Sequence, residues 1–302
     1  MSKTIVVLGN GFDLDLGLNT NYSDFAKSQH WTELMDNNVH SKDDTRLLGF
    51  LKKKYDIEQW VDLEGALLDF ATVKTKNHDF NNADEDACDF ASLCLSLRYY
   101  LKDQQDLFKP FRHSVASEYL KYLSFCSNQS CLYSFNYTQL NLLAQKCNIN
   151  MGYDAKHIHG SLRENDNIIL GIETREYIDE HYSFLFKTQN RKYKHSNLLK
   201  DLRGKDEYVF FGHSLNGMDY AYFDSTFIQL SNNNLDTPRL TIITKDEKEE
   251  NKFKNFLRKK HISLQGLFSN SDPCIILTDA IYKNDREELL KFSNLIERAK
   301  VM

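Results

Sequence analysis

Proline and paired cysteines are scarce in this 302-residue chain. Only three prolines occur, which excludes a long proline-rich linker. No two of the six cysteines form a C-x-x-C pair, so the sequence indicates no zinc ribbon. They are Cys88, Cys94, Cys126, Cys131, Cys147 and Cys274. No apolar run approaches the roughly 18 residues that a membrane-spanning helix needs, so we expect no membrane partner.

The chain also lacks a strong excess of charge of either sign. The net charge is −5 and the isoelectric point is near 6.1. Such a balance provides no general attraction to nucleic acid or anionic lipid, which argues against a dedicated nucleic-acid-binding protein. At the N-terminus, Gly9 and Asn10 interrupt a short apolar run, which is not the pattern of a secretion signal. We therefore expect a cytoplasmic protein whose thiols are reduced.

Short apolar runs typical of strands recur along the chain, with helical segments between them. Most are almost continuously apolar rather than alternating, as is typical of strands buried on both faces. Because helices separate them, they predict a Rossmann-like, doubly wound α/β fold with a mainly parallel sheet. The runs are TIVVLG (4–9), SCLYSF (130–135), KHIHG (156–160), NIILG (167–171), EYVFFG (207–212), RLTIIT (239–244) and PCIILT (273–278).

The segment between the first two predicted strands is too long for a single crossover. Residues 22–125 are mainly helical in pattern, with apolar residues at three- and four-residue spacing in DEDACDFASLCLSLRYYLKDQ. We interpret this segment as a large helical insertion after the first βα unit. It is either a cap that closes over a ligand or a cover for one face of the sheet. Residues 1–21 and 126–302 are expected to form the sheet domain.

A glycine-punctuated turn follows the first predicted strand. Gly9, Gly11 and Gly17 lie in TIVVLGNGFDLDLGLNTNYSDF, where a strand leads into a turn and then a helix. Free backbone N–H groups and the positive end of a helix bind phosphate at such a turn, and glycine permits a close approach. The spacing departs from G-x-G-x-x-G, because Leu14 occupies the position of the third glycine. A plain tight βα turn is the alternative interpretation.

Three further residues of this turn are candidates for ligand contact: Asn10, Phe12 and Asp13. Asp13 is the better placed of the two nearby aspartates, because Asp15 lies further from the turn. Two carboxylates would repel a phosphate unless they bind sugar hydroxyls, cap the helix or face away. Asp13 is thus predicted either to contact a ligand or to cap the helix.

An asparagine follows the second predicted strand in SFNYTQLN. Asn136 and Tyr137 are therefore expected at the carboxyl end of that strand. A carboxamide donates and accepts hydrogen bonds at once, which suits ribose hydroxyls or an attacking water. The alternative is that Asn136 only caps the next helix.

Two histidines stand two residues apart in HIHGSL. If both lie on a short strand, His157 and His159 point to the same side. Such a pair can bind a metal, but no carboxylate or cysteine partner accompanies it, and we predict no metal site. His159 precedes Gly160 and Ser161 at a turn, where it could act as a base near neutral pH.

A third strand-to-glycine turn occurs in YVFFGHSLNGMDYAYF. It carries Gly212, His213, Ser214 and Asp219. Turns of small residues at the ends of successive strands predict one ligand crevice at one edge of the sheet.

These motifs together resemble the AbiH family of bacterial abortive-infection proteins, which is related to sirtuin-like folds. The resemblance rests on LGNGFDLDLGLNTNYSDF, QWVDLE (59–64), FNYT (135–138), HIHGSL (157–162) and GHSLNGMDYAYF (212–223), which occur in family order. It implies a role in defence against phage. The sirtuin-like resemblance implies that the glycine turn binds NAD, that Asn136 contacts the nicotinamide ribose, and that His159 is the base. The zinc-binding cysteine pairs of sirtuins are absent, which argues against protein deacylation.

The reaction that we predict is NAD glycohydrolysis, with Asn136 and His159 as catalytic residues. The alternatives are a nucleotide-binding sensor that does not hydrolyse and a nucleic-acid-targeting toxin. The toxin would use the basic stretch KTQNRKYKHSNLLKDLRGK (187–205), which is otherwise a solvated helix face. Trp60, Asp62 and Glu64 are either part of the site or the start of a helix.

The partners that we expect are a small-molecule nucleotide and a phage or host trigger, because a constantly active NAD hydrolase would be toxic to its cell. The aromatic fraction of 13% fits a homo-oligomeric interface as well as core packing alone.

Overall fold

The computed structural model describes residues 4–58, 62–110, 113–125, 130–193, 196–215, 217–232, 238–270 and 273–298. The chain divides into two compact units. The first comprises Met1–Leu18, Phe108–Ile158 and Lys194–Met302, and the second comprises Asn19–Leu107 and His159–Tyr193. These bounds differ from the division expected from the sequence. Residues 108–125 belong to the unit with the sheet, and residues 159–193 belong to the unit with the long helical segment.

The first unit contains a six-stranded, entirely parallel sheet. Its spatial order is β3-β2-β1-β4-β5-β6, and each neighbouring pair is parallel. The strands are β1 (Thr4–Leu8), β2 (Ser130–Ser134), β3 (Lys156–His157), β4 (Glu207–Phe211), β5 (Arg239–Thr244) and β6 (Cys274–Leu277). The predicted α/β fold with a parallel sheet is confirmed.

Helices connect these strands and make up most of the second unit. No helix among the described residues is long and apolar enough to cross a membrane. The α-helices are α1 (Asn10–Leu16), α2 (Tyr22–Phe25), α3 (Gln29–Asn37), α4 (Leu47–Glu58), α5 (Leu63–Lys76), α6 (Ala83–Leu107), α7 (Val115–Phe125), α8 (Leu140–Lys146), α9 (Ser196–Asp201), α10 (Asp224–Asn232), α11 (Glu247–Lys259), α12 (Leu264–Asn270), α13 (Thr278–Tyr282) and α14 (Arg286–Arg298).

Helices cover both faces of the sheet, which explains why its central strands are apolar throughout. All five residues of β1 and of β4 are buried. Neighbouring residues of a strand point to opposite faces. Phe211 packs against Phe12 of α1, with ring centroids 5.1 Å apart, whereas Phe210 packs against Phe227 of α10 at 5.7 Å. Strands buried on both sides cannot alternate polar and apolar residues, so the continuous runs identified them correctly.

One strand prediction is wrong, and another extends too far. Residues 167–171 form no strand, and the next residue, Ile172, makes an isolated β-bridge to Phe186. The strand that begins at Lys156 ends at His157, so His159 lies beyond it. Gly160 then turns the backbone to a φ of +75°. A short apolar run has the same composition in a buried loop and in a buried strand, and composition alone could not separate them.

A buried ionic cluster lies in the second unit. The carboxylate of Asp86, which is fully buried, accepts from Arg46 Nε at 3.0 Å, from the Leu47 N–H at 3.1 Å and from the Tyr182 hydroxyl at 3.2 Å. A buried charge is tolerated only when it is paired and hydrogen-bonded in this way. The cluster therefore ties α4 and α6 to the segment that contains Tyr182.

In the first unit, Asp15 of α1 caps another helix across space. Its Oδ2 accepts from the Ala116 N–H at the start of α7 at 2.7 Å, and its Oδ1 accepts from the Tyr282 hydroxyl at 2.9 Å.

Replacing a capping side chain with alanine costs about 1 kcal/mol, within a range of roughly 0.5 to 2. Asp15→Ala should therefore lower the free energy of unfolding by about 1 kcal/mol in urea titrations. Glu118→Ala is the matched control, because Glu118 lies in the same helical turn and its carboxylate pairs with exposed Lys121. Equal losses in the two variants would contradict the capping role.

Candidate functional site

The order of the strands reverses between β1 and β4. From β1 the chain builds the sheet outward in one direction through β2 and β3, and in the other through β4, β5 and β6. In open parallel sheets a crevice forms outside the carboxyl ends of the strands at this point, and ligands bind there. Leu8 is in register with both Ser134 and Phe211, so β1, β2 and β4 end at the same level. The residues that follow these three strands therefore form the candidate site.

The two glycine turns after β1 and β4 are packed directly against each other. A Cβ atom on Gly11 would lie 2.7 Å from the Cα of Gly212, and one on Gly9 would lie 2.5 Å from the Cα of His213. Gly212 has a φ of +64°, which also favours glycine. The glycines are thus required for the close approach of the two turns.

The backbone N–H groups of the first turn are engaged within the protein. Gly9 N–H donates to the Phe211 carbonyl and Gly11 N–H to the Gly212 carbonyl, each at 2.9 Å. Phe12 N–H donates to the Gly9 carbonyl at 2.9 Å. A phosphate cannot accept from these three amides while the bonds persist. The turn therefore differs from a phosphate-binding loop of free amides.

Gly17 lies at the other end of α1 and has a different structural role from Gly9 and Gly11. It has a φ of +99° and caps the C-terminus of the helix, and its N–H donates to the Leu14 carbonyl at 3.0 Å. A left-handed glycine at this position is a common helix terminator. Its spacing from Gly11 therefore reflects the seven-residue length of α1.

Asp13 forms the buried centre of the candidate site. Only 2% of its surface is exposed. Its Oδ1 accepts from the Asn136 carboxamide and its Oδ2 accepts from the Thr138 hydroxyl, each at 2.7 Å. Burial raises the pKa of Asp13 to about 7, although the hydrogen bonds from Thr138 and Asn136 lower it. The carboxyl group can therefore exchange its proton near neutral pH.

The carboxamide of Asn136 is held in one orientation. Its Nδ2 donates to Asp13 Oδ1 and also to the Gly9 carbonyl at 3.0 Å, which uses both of its hydrogens. No described residue donates to the remaining atom, Oδ1. This oxygen is the part of Asn136 that can accept a hydrogen bond from a ligand hydroxyl or from water. The asparagine does not cap α8, which begins at Leu140 after Gln139.

His157 is also hydrogen-bonded to Asn136. Its Nδ1 donates to the Asn136 backbone carbonyl at 2.9 Å, and the Ser134 hydroxyl accepts from the Asn136 N–H at 3.1 Å. Donation from Nδ1 sets the tautomer of a neutral ring, which then has an acceptor at Nε2. Asp13, Thr138, Asn136 and His157 thus form one connected polar cluster in the first unit.

Four residues around the cluster keep some contact with solvent, and we call them the rim: Asn10, Tyr137, His213 and Ser214. The His213 ring lies edge-on to Phe135, with centroids 4.5 Å apart, and its Nδ1 accepts from the Leu215 N–H at 3.0 Å. This bond requires an unprotonated Nδ1, so the neutral ring carries its hydrogen on Nε2. Asp219 lies in the first turn of a 3₁₀ helix, Gly217–Tyr222.

In the second unit, His159 begins a tightly bonded turn. Its side chain is buried and lies edge-on to Tyr193, with ring centroids 6.3 Å apart. Its backbone carbonyl accepts from the Ile169 N–H at 2.7 Å. The Ser161 hydroxyl donates to Asp166 Oδ2 at 2.8 Å. Burial raises the pKa of Asp166, but hydrogen bonds from Ser161, Asn167 and Lys192 outweigh that effect and place it below its ordinary value.

The acidic motif WVDLEGAL is structural where it is described. Trp60 lies outside the described residues. Asp62 is the N-cap of α5 and accepts from the Gly65 N–H at 2.9 Å. Glu64 Oε2 accepts from Lys187 Nζ at 2.9 Å, and Lys187 is buried. The expectation that the basic stretch 187–205 is a solvated face is therefore wrong at Lys187, whose charge is neutralised inside the second unit.

Sequence reasoning missed Thr138. It stands inside the FNYT motif, and its position two residues after Asn136 was the available signal. No group of three or more metal-ligating side chains occurs among the residues that the structure describes.

The cluster and both glycine turns lie within a region that matches a known family. The family model described as "Bacteriophage abortive infection AbiH" matches residues 5–238, which is more than half of the chain. No curated protein and no solved structure matches the chain. Membership in this family indicates a role in defence against phage by abortive infection. The chain belongs to the AbiH family of bacteriophage abortive-infection proteins.

Proposed function

We propose that this protein acts in phage defence by binding NAD at the carboxyl ends of β1, β2 and β4 and hydrolysing the bond between nicotinamide and ribose. The observation that carries the proposal is the orientation of Asn136, whose Nδ2 is used within the protein and whose Oδ1 is left to accept. The strand order β3-β2-β1-β4-β5-β6 supports a dinucleotide ligand, because Rossmann-type sheets have the same order. The resemblance to sirtuin-like folds favours NAD among such ligands.

The rim supplies the remaining contacts in this proposal. Because the amides of Gly9 and Gly11 are engaged by carbonyls, we expect the pyrophosphate to be bound by side chains rather than by those amides. Asn10 and Ser214 are exposed and polar, and Tyr137 and His213 are half-buried. Nε2–H of a neutral His213 can donate to a phosphate oxygen.

The proposed reaction needs little beyond orientation and one base. Water attacks the anomeric carbon of the ribose, and the electron pair of the carbon–nitrogen bond leaves with nicotinamide. The pyridinium ring is cationic, so nicotinamide departs neutral without a general acid. The transition state resembles an oxocarbenium ion, as in glycoside hydrolysis. Asn136 Oδ1 would accept a hydrogen bond from a ribose hydroxyl or from the attacking water.

His159 is the proposed acceptor of the proton that the water loses. The resemblance of the HIHGSL motif to sirtuin-like folds implies this role. Loss of a general base typically lowers the rate by about 10² to 10⁴. His159→Gln should therefore retain NAD binding and reduce nicotinamide release by at least about 100-fold.

The test is to incubate the purified full chain with NAD and to quantify free nicotinamide and ADP-ribose by chromatography. A thermal-shift titration with NAD runs in parallel. Asn136→Ala should reduce nicotinamide release by about 100-fold or more, because the accepting oxygen is lost. Stabilisation by NAD without release would refute hydrolysis and support the sensor instead. The absence of both stabilisation and release would refute NAD binding as well.

Thr138→Val is the matched control for Asn136→Ala. Each change removes one of the two side-chain hydrogen bonds to Asp13, so both disturb the cluster. Only Asn136→Ala removes Oδ1. Nicotinamide release should fall less than 10-fold in Thr138→Val. Equal loss in both variants would show that the cluster maintains the fold and has no role of its own in the reaction.

A further inference from the structure

We propose that Arg98 of α6 is a positioning residue that sets the conformation of the turn carrying His159, Gly160 and Ser161. Its guanidinium group binds three consecutive backbone carbonyls of the second unit. Nη1 donates to the Ser161 carbonyl at 2.9 Å, and Nη2 donates to the carbonyls of Leu162 at 3.3 Å and Arg163 at 2.7 Å. The inference rests on the proposed function in one respect, which is the role of His159 as the base.

Three carbonyls can point at one cation only if the backbone curves around it. The donors of a guanidinium form a rigid planar fork, so their positions dictate where the three oxygens lie. Hydrogen bonds from a charged donor are also stronger than those between neutral groups. Arg98 therefore imposes a specific curvature on residues 161–163, directly after the turn at Gly160.

Packing of α6 fixes the position of Arg98. Leu97 and Leu101 flank it on α6 and are buried, at 1% and 3% exposure. α6 is 25 residues long, and the buried ionic cluster of Asp86 anchors it near its start. The guanidinium is thus presented from a rigid element, as a precise site requires.

Residues on the other side of this turn also restrict its backbone conformation. Gly160 has a φ of +75°, and a Cβ on it would lie 1.9 Å from the Asn167 carbonyl oxygen. The His159 carbonyl is bonded to Ile169, and the Ser161 hydroxyl is bonded to Asp166. With one wall made by residues 166–169 and the other by Arg98, the turn is held from both sides. Removing Arg98 should release one side and let the buried His159 ring shift.

Small shifts of a catalytic group have large kinetic effects. A misplacement of about 1 Å can reduce a rate roughly 100-fold. We expect Arg98→Ala to lower kcat for nicotinamide release between about 10-fold and 100-fold, with KM for NAD changed less than about three-fold. Arg98→Lys should recover little of the loss, because an ammonium group cannot span the three carbonyls. Millimolar guanidinium should partly restore kcat in Arg98→Ala.

Lys102→Ala is the matched control. Lys102 lies one turn further along α6 and is exposed, so the change removes a cation from the same helix without touching the turn. Its kcat should equal that of the wild-type protein, and guanidinium should leave it unchanged. An Arg98→Ala protein with wild-type kcat would overturn the inference.

A second readout is independent of activity. In protein labelled with ¹⁵N-histidine, the ring signals of His159 are assigned by their loss in His159→Gln. They should shift or broaden in both Arg98→Ala and Arg98→Lys, and stay in place in Lys102→Ala, while the signals of exposed His113 remain unchanged in all three. If the wild-type protein releases no nicotinamide, the proposed function fails, and the His159 signals alone decide the role of Arg98. Unchanged His159 signals in a folded Arg98 variant would overturn it.

Discussion

Asp13→Asn should make the protein more stable above neutral pH. The folded carboxyl has a pKa of about 7, whereas its ordinary value is 3.8. Between these values the folded state binds more protons than the unfolded state, so the free energy of unfolding falls as pH rises. The stabilisation that the raised pKa of Asp13 gives the folded state is fully present below about pH 4 and is lost as pH rises through about 7. Asparagine never ionises and escapes this loss.

The expected difference is large. From pH 5 to pH 7 the pH moves two units toward the folded pKa, and each unit corresponds to about 1.36 kcal/mol. The stability of Asp13→Asn relative to the wild-type protein should therefore rise by about 3 kcal/mol between pH 5 and pH 8. Urea denaturation at both pH values measures it. The substitution keeps the hydrogen bonds, because Asn136 can donate to the new carbonyl oxygen and the Thr138 hydroxyl can accept from the new amide.

Asp36→Asn is the control for this titration. Asp36 is exposed on α3, so its replacement removes a carboxylate that lies in solvent in the folded protein. Its stability relative to the wild-type protein should be nearly the same at pH 5 and pH 8. If Asp13→Asn shows the same flat dependence, Asp13 is ionised at ordinary pH in the folded protein, and its capacity to exchange a proton near pH 7 is refuted.

Gly212→Ala should destabilise the protein far more than Gly204→Ala. The two glycines have nearly the same φ, +64° and +62°. A Cβ on Gly212 would lie 2.2 Å from the Phe12 nitrogen, whereas nothing lies within 4 Å of one on Gly204. The left-handed conformation costs alanine about 1 to 2 kcal/mol at either position. Overpacking adds roughly 1 to 3 kcal/mol at Gly212 alone.

Comparison of Gly212→Ala with Gly204→Ala isolates the contribution to stability of the close approach between the two glycine turns. Gly204→Ala should lower the free energy of unfolding by about 1 to 2 kcal/mol, and Gly212→Ala by about 2 to 5 kcal/mol, the sum of the two costs. Urea titrations of both variants at one pH suffice. Equal losses would mean that the turn after β4 can move away from the turn after β1, and that their contact does not shape the candidate site.

Most of the sheet could be predicted from local patterns. Six of the seven apolar runs contain observed strands, because strands covered by helices on both faces need continuous apolar residues. The run at 167–171 failed because a buried loop has the same composition. The position of the glycine turn at the end of β1 was also correct. The structure adds that the amides of Gly9 and Gly11 bind carbonyls and that the absence of Cβ atoms admits the turn after β4, neither of which the sequence reported.

The chemistry of the candidate site depended more on tertiary structure. Asn136 was recognised from its place after a strand, but its partner Asp13 lies 123 positions away in the chain. The pKa of Asp13 follows from burial, which no local pattern reports. Likewise, Lys187 belongs to a basic stretch in sequence, yet Glu64 neutralises it inside the second unit.

Local sequence was therefore sufficient for the elements themselves: which segments are strands, where glycine must turn the chain, and which polar residues follow the strands. These features depend on the conformational preferences and burial of neighbouring residues. Only the tertiary structure decided which distant groups share a hydrogen bond, which carboxyl loses its water, and which carbonyls surround Arg98. Those interactions act across space, and their energies depend on distance and burial rather than on order along the chain.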